Sequence, residues 1–127
     1  YVAAGDFRVR GGQEAMSELL GRNISFSAVF AANDLMAMGV LSTLHAAGVQ
    51  VPGDVSVMGF DDIPYSVAMQ PPLTTIAQPV EEIGRASVEM LLERIRPTSP
   101  HHAPQRVILA PRLVIRESCA PFRPKSA

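Results

Sequence analysis

The chain has 127 residues, 47% of them hydrophobic, which suits one domain with a real core and excludes an intrinsically disordered segment. Its 11 Lys and Arg stand against 12 Asp and Glu, a formal net charge of -1, so no basic surplus tracks a phosphate backbone and no charge block forms an interaction tail. The single cysteine, Cys119, excludes an internal disulfide and a paired-cysteine metal site, and fits a reducing cytoplasm. No apolar stretch approaches bilayer length and no signal-peptide pattern opens the chain, so a soluble cytoplasmic protein with no membrane partner is expected. Tyr1 is not an initiator methionine, which points to a segment upstream.

Val2 to Ala4 is a short apolar start that ends at Gly5-Asp6-Phe7. Ala15, Met16, Leu19 and Leu20 then fall at helical spacing opposite Gln13, Glu14, Ser17 and Glu18, and Gly21-Arg22-Asn23 closes that helix. Gly11-Gly12 reads as the loop leading into it, because no GxGxxG or Walker pattern accompanies the pair. Ala28-Val29-Phe30-Ala31-Ala32 has the continuous apolar character of a strand buried on both faces. Asn33-Asp34 follows, and a helix from about Leu35 to Ala47 begins there with Asp34 as its N-cap and Gly48 as its C′ glycine. A Pro52-Gly53-Asp54 turn leads into a second buried strand, Val55 to Phe60, which ends in Asp61-Asp62.

Ile63 to Met69 reads as a short helix or irregular segment, stopped by Pro71-Pro72. Leu73 to Ile76 is extended, and Pro79 opens a helix as an N1-type proline. That helix carries Glu82, Arg85, Glu89, Glu93 and Arg96 on one face and Val80, Ile83, Ala86, Met90 and Leu91 on the other. Pro97 to Pro104 is a loop, short strands follow near Arg106–Leu109 and Leu113–Arg116, and the tail from Pro121 is proline-rich. Alternating strands and helices predict an α/β fold, a doubly wound parallel sheet in αβα layers.

In such a sheet ligands sit outside the carboxyl ends of the strands, where Asn33-Asp34, Asp61-Asp62 and Phe7 all fall. Carboxylates and a carboxamide make several directional hydrogen bonds, as a polyol requires, and an aromatic ring adds a flat apolar contact. Capping and turn formation account for the same residue types. Taken alone, Asp34 is better read as a cap, Asn33 and Asp61 as turn formers, and Asp62 fits either role. Metal chemistry has no support, since His45 lies inside a helix and His101-His102 in a loop without acidic or cysteine partners at ligand spacing. No GxSxG elbow marks a catalytic nucleophile and no cofactor motif is present, so neither catalysis nor a cofactor is expected.

The segment Val29 to Gly39 (VFAANDLMAMG) resembles the strand-to-helix motif of the lac/galactose repressor family. Pro52 to Asp62 (PGDVSVMGFDD) resembles its next strand motif, Pro72 to Pro79 (PLTTIAQP) its crossover segment, and Pro111 to Ser118 (PRLVIRES) its closing strand. The matches run in order over nearly the whole chain. The resemblance implies a periplasmic-binding-protein-like fold of type I, here incomplete. Residues 1–73 are mostly the second of two similar subdomains, 74–79 a crossover, 80–110 a helix and strand of the first subdomain, and 111–118 the return strand. It also implies that Asn33 and Asp61 hydrogen-bond an effector, that Phe7 packs on it, and that Gln78 is a further cleft residue. The family senses sugars in many members and purines in some. Its helix-turn-helix, hinge helix and most of its first subdomain, including an arginine that often anchors a sugar, are not represented in these residues. Operator DNA is therefore expected as a partner only through an N-terminal domain outside this sequence.

The helix from Leu35 to Ala47 has no charged residue and apolar side chains all round it, although a surface helix shows a polar face. Covering by a second copy is expected, the alternative being burial within the same domain. By resemblance, this helix and the segment around Met69 contribute to a homodimer interface, in which Met38 and Met69 are the expected contacts. The expected function is effector sensing, with the effector a sugar, in a bacterial transcriptional regulator. A solute-binding protein of a sugar transporter shares the fold and is the alternative. A hydrolase using Asp61 and Asp62 ranks last, because adjacent carboxylates on a strand end point in different directions.

Overall fold

The computed structural model describes residues 1–96 and 105–122 and divides the chain into two compact units. The loop expected over Pro97 to Pro104, which carries His101 and His102, and the tail beyond residue 122 lie outside the described residues. The first unit comprises Tyr1–Ala77 and Leu113–Ala127, and the second Gln78–Arg112.

In the first unit α1 (Val9–Gly21), β1 (Ala28–Phe30), α2 (Asp34–Ala46) and β2 (Ser56–Met58) follow one another. A 3₁₀ helix, Pro64–Ala68, then leads to β3 (Thr75–Ala77). β1 and β2 run parallel with Ala28 beside Ser56, Val29 beside Val57 and Phe30 beside Met58. Parallel bridges from Met58 to Thr74 and from Asp61 to Ala77 tie the end of β2 to the approach and end of β3, which pairs with β4 (Arg112–Val114). Residues beyond β4 are laced onto β2. The Val57 amide donates to Ser118 O at 2.8 Å, and the Ser118 hydroxyl donates to Val57 O at 2.6 Å while accepting from the Thr74 amide. This is an α/β arrangement of parallel strands and helices, as the alternation of elements predicts.

Met16, Ala37, Leu44, Val57 and Leu73 are fully buried and draw α1, α2, β2 and the approach to β3 into one core. The two helices meet through glycines. A Cβ at Gly12 would lie 2.2 Å from Met36 O, and one at Gly39 would lie 2.0 Å from Val9 O and 2.8 Å from Gln13 N. Gly11 and Gly12 therefore sit inside α1, not in a loop before it. The close approach of α2 outweighs the roughly 1 kcal/mol by which glycine disfavours a helix relative to alanine. At the other end of α2 the Gly48 amide donates to His45 O at 3.0 Å and the Val49 amide to Leu44 O at 2.9 Å, a Schellman close with Gly48, at φ 73°, as the expected C′ glycine.

Several expectations need correction. Asn33, not Asp34, caps α2: its side chain accepts from the Met36 amide at 2.8 Å, while Asp34 is the first helical residue and fully buried. β1 is not covered on both faces, for Phe30 is 62% exposed, and β1 pairs with β2 alone among the described strands. From Leu35 onward, where it carries no charged residue, α2 is covered in large part by α1 of the same unit, leaving Leu35, Met38, Ser42 and His45 at least partly open.

The second unit contains α3 (Val80–Ile95), with Pro79 as N-cap instead of first helical residue. None of its residues is buried, and Val80, Ile83, Leu91 and Ile95 are exposed. Arg106–Leu109 forms no strand; among the described residues no strand lies beside it to complete a hydrogen-bonded ladder.

The glycine crossing gives a direct test. Gly39→Val forces a branched side chain into the Val9 backbone, so the midpoint of urea unfolding should fall by the equivalent of about 1–3 kcal/mol or more. A midpoint within error of wild type would show that the helices separate at little cost.

Candidate functional site

Three of the four expected ligand residues converge at the carboxyl edge of the β1–β2 pair. The main-chain amide of Asp34 donates to Phe60 O at 2.8 Å, which sets the turn after β1 against the turn after β2. Asn33 uses both ends of its carboxamide there: Oδ1 accepts from the Met36 amide, and Nδ2 donates to Phe7 O at 3.0 Å. The Phe7 ring is thereby presented from a left-handed residue, φ 63°, and is 63% exposed. Asn33 is thus a cap and a tether for the aromatic loop.

Asp61 and Asp62 follow β2 in an unusual conformation, φ 118° and 58°, where side chains other than glycine are strained by about 1 kcal/mol or more. The Asp61 amide donates to Ile76 O at 2.8 Å, so the half-buried Asp61 sits directly against β3. Asp62 is turned to a different partner. Its Oδ1 lies 2.6 Å from Arg116 Nη2, and the two side chains are only 20% and 19% exposed. The choice left open for Asp62, cap or ligand, resolves as an ion pair. Gln78 opens the second unit, where its carbonyl accepts from the Val80 amide at 2.9 Å.

Sequence reasoning missed the residues that hold this edge together. Asp34 Oδ2 accepts from the Ile63 amide at 3.0 Å and from the Ser66 hydroxyl at 2.6 Å, and its Oδ1 accepts from the Thr75 hydroxyl at 2.5 Å. Ser66, Thr75 and Asp34 are all fully buried. Arg116 also escaped notice, being read only as the end of a closing strand. Its one signal in the sequence is a long cation at the end of the apolar run Leu113-Val114-Ile115.

An apolar cavity of about 470 Å³ lies elsewhere, lined by Met16, Leu19, Phe26, Phe30 and Val40 among others. It is poor in the directional polar groups that fix a polar ligand, so the carboxyl edge remains the candidate. Among the described residues no group of three His, Cys, Asp or Glu could hold a metal ion, and no helix is long and apolar enough to cross a membrane.

Comparison with known proteins agrees with the fold. Residues 1–119 match the family described as periplasmic binding protein-like domain. The chain is 45% identical over 118 residues to the ribose operon repressor of Escherichia coli K12, an alignment covering 93% of this chain and 35% of that protein. It is also similar to the solved transcriptional regulator CelR in complex with cellobiose, at 42% identity and a TM-score of 0.84, covering 90% of this chain and 34% of that one. A regulator of the LacI family from Enterococcus faecium, solved with bound ribose, superposes at 0.83 with 36% identity, covering 95% and 44%. The chain thus spans about a third of the length of the curated relatives it matches.

The double use of Asn33 separates two effects. Asn33→Ala removes cap and tether together and should lower stability by about 0.5–2 kcal/mol. Asn33→Asp keeps a capping oxygen but loses the donor to Phe7, so it should retain most of the stability while amide exchange quickens around Phe7 and Arg8. Equal destabilisation by both variants would assign the whole effect to something other than the cap.

Proposed function

Because the chain belongs to the periplasmic-binding-protein-like domain family, in the lac/galactose repressor branch, we propose that it is the effector-sensing part of a bacterial transcriptional regulator, whose effector is a sugar. The observation that carries this reading is the convergence of Phe7, Asn33 and Asp61 at one sheet edge. A carboxamide, a carboxylate and an exposed ring suit a hydroxyl-rich ligand with a flat apolar face. Ribose in one similar structure and cellobiose in another support the sugar class.

In this reading the full-length protein binds operator DNA through a helix-turn-helix outside these residues and acts in the cytoplasm without catalysing a reaction. Regulators among the curated relatives favour it over a transport-associated solute-binding protein. The hydrolase reading loses its second carboxylate, since Asp62 is committed to Arg116. Assembly as a homodimer is part of the same proposal. Met38 is half-buried and Met69 is 8% exposed, and both line a shallow cleft with Leu41, Ser42, His45 and Gln70. A second copy over this face would cover what α1 leaves open on α2.

Two measurements test the proposal in the full-length regulator. Asp61→Ala should weaken ribose or cellobiose binding about ten- to hundredfold by calorimetry, the consequence of removing a charge-assisted hydrogen-bond partner worth roughly 1.5–3 kcal/mol. Affinity equal to wild type would take Asp61 out of the site. Met38→Lys should shift light scattering from dimer to monomer, because the ammonium would be buried without a counter-ion. A variant that stays dimeric would place the interface elsewhere.

A further inference from the structure

Asp61 and Asp62 have consecutive positive φ values, 118° and 58°, and such a turn relaxes unless its surroundings hold it. One side chain ties the turn to the approach to β3. Arg116 reaches Asp62 Oδ1 with Nη2 at 2.6 Å and Leu73 O with Nη1 at 2.8 Å, while its own main-chain amide donates to Thr74 Oγ1 at 2.9 Å. The rigid guanidinium fork therefore fastens the Asp62 side chain and the backbone entering β3 to one point, which a lysine ammonium on a flexible stem cannot do. With both side chains about one-fifth exposed, water and salt screen the pair less than a surface ion pair. The residue next to this anchor is Asp61.

We propose that Arg116 and Asp62 are positioning residues for the effector: their ion pair holds the Asp61 turn in the conformation that presents the Asp61 carboxylate, and thereby sets ligand affinity. This rests on Asp61 being an effector ligand. The pair touches no ligand itself in this scheme. Its contribution is preorganisation, so that the turn need not be ordered at the moment of binding.

A purely structural role predicts something different. Glycine is at ease at φ 58°, so Asp62→Gly deletes the ion pair and simultaneously removes backbone strain, and the two effects on stability oppose each other. If the pair positions Asp61, stability and affinity come apart. In the full-length regulator, with ribose and cellobiose as probes, Asp62→Gly should raise Kd on the order of tenfold while the thermal midpoint moves by only a few degrees. Arg116→Gln should raise Kd at least as much, and Arg116→Lys, which keeps the charge but not the fork, should fall between Arg116→Gln and wild type. The Asp61 amide, held on Ile76 O, should exchange about tenfold faster in Asp62→Gly than in wild type, which reads the hold on the turn separately from sugar affinity. Unchanged affinity in Asp61→Ala overturns the reading of Asp61 as a ligand and this proposal with it. Lost affinity in Asp61→Ala beside unchanged affinity in Asp62→Gly, or unchanged exchange at Asp61, overturns this proposal alone.

Discussion

The carboxylate of Asp34 is fully buried at the start of α2 and draws two separated pieces of chain onto itself: the 3₁₀ turn, through the Ile63 amide and the Ser66 hydroxyl, and β3, through the Thr75 hydroxyl. Hydrogen bonds to a charged group contribute roughly 1.5–3 kcal/mol each, and together with the positive end of the α2 dipole they offset the desolvation of an acid in the core. Without this hub the 3₁₀ helix would have no fixed seat beneath α2, and β3 would lose its side-chain link to the core. The candidate site depends on it indirectly. Asn33 precedes the hub, Asp61 precedes the loop that the hub receives, and both are placed by backbone that Asp34 keeps in register.

The same two residues show where sequence legibility stops. An Asn-Asp pair before an apolar helix announces a helix start, and α2 begins there. Which of the two caps the helix and which enters the core is not a local matter, because both side chains cap about equally well. The decision comes from Ser66 and Thr75, 32 and 41 residues away, whose hydroxyls need a buried acceptor. Gly11-Gly12 was misread for a related reason. Helix propensity argues against paired glycines, and only contacts in three dimensions explain them: the approach of Met36 and Gly39 at Gly12, and the Asp6 side chain and amide at Gly11.

The alternation of elements and the placing of polar residues at strand ends were readable, since both follow from short-range pattern. Arg106–Leu109 was not, because strand character there is a property of a neighbour as much as of the residues. Arg116 was equally hidden: its partner Asp62 lies 54 residues earlier, and nothing in either local sequence names the other.

The lacing of Ser118 onto Val57 bears on the order in which the protein can be made. α1, β1, α2 and β2 are built from contacts close in sequence, and they can assemble while the ribosome is still working. The Val57 carbonyl, however, waits for a hydroxyl 61 residues downstream, and the Val57 amide waits for the carbonyl of the same serine. During that interval β2 has an open edge, the kind of surface that invites pairing with another strand. The lobe that carries Phe7, Asn33 and Asp61 is therefore not complete until Ser118 has left the exit tunnel.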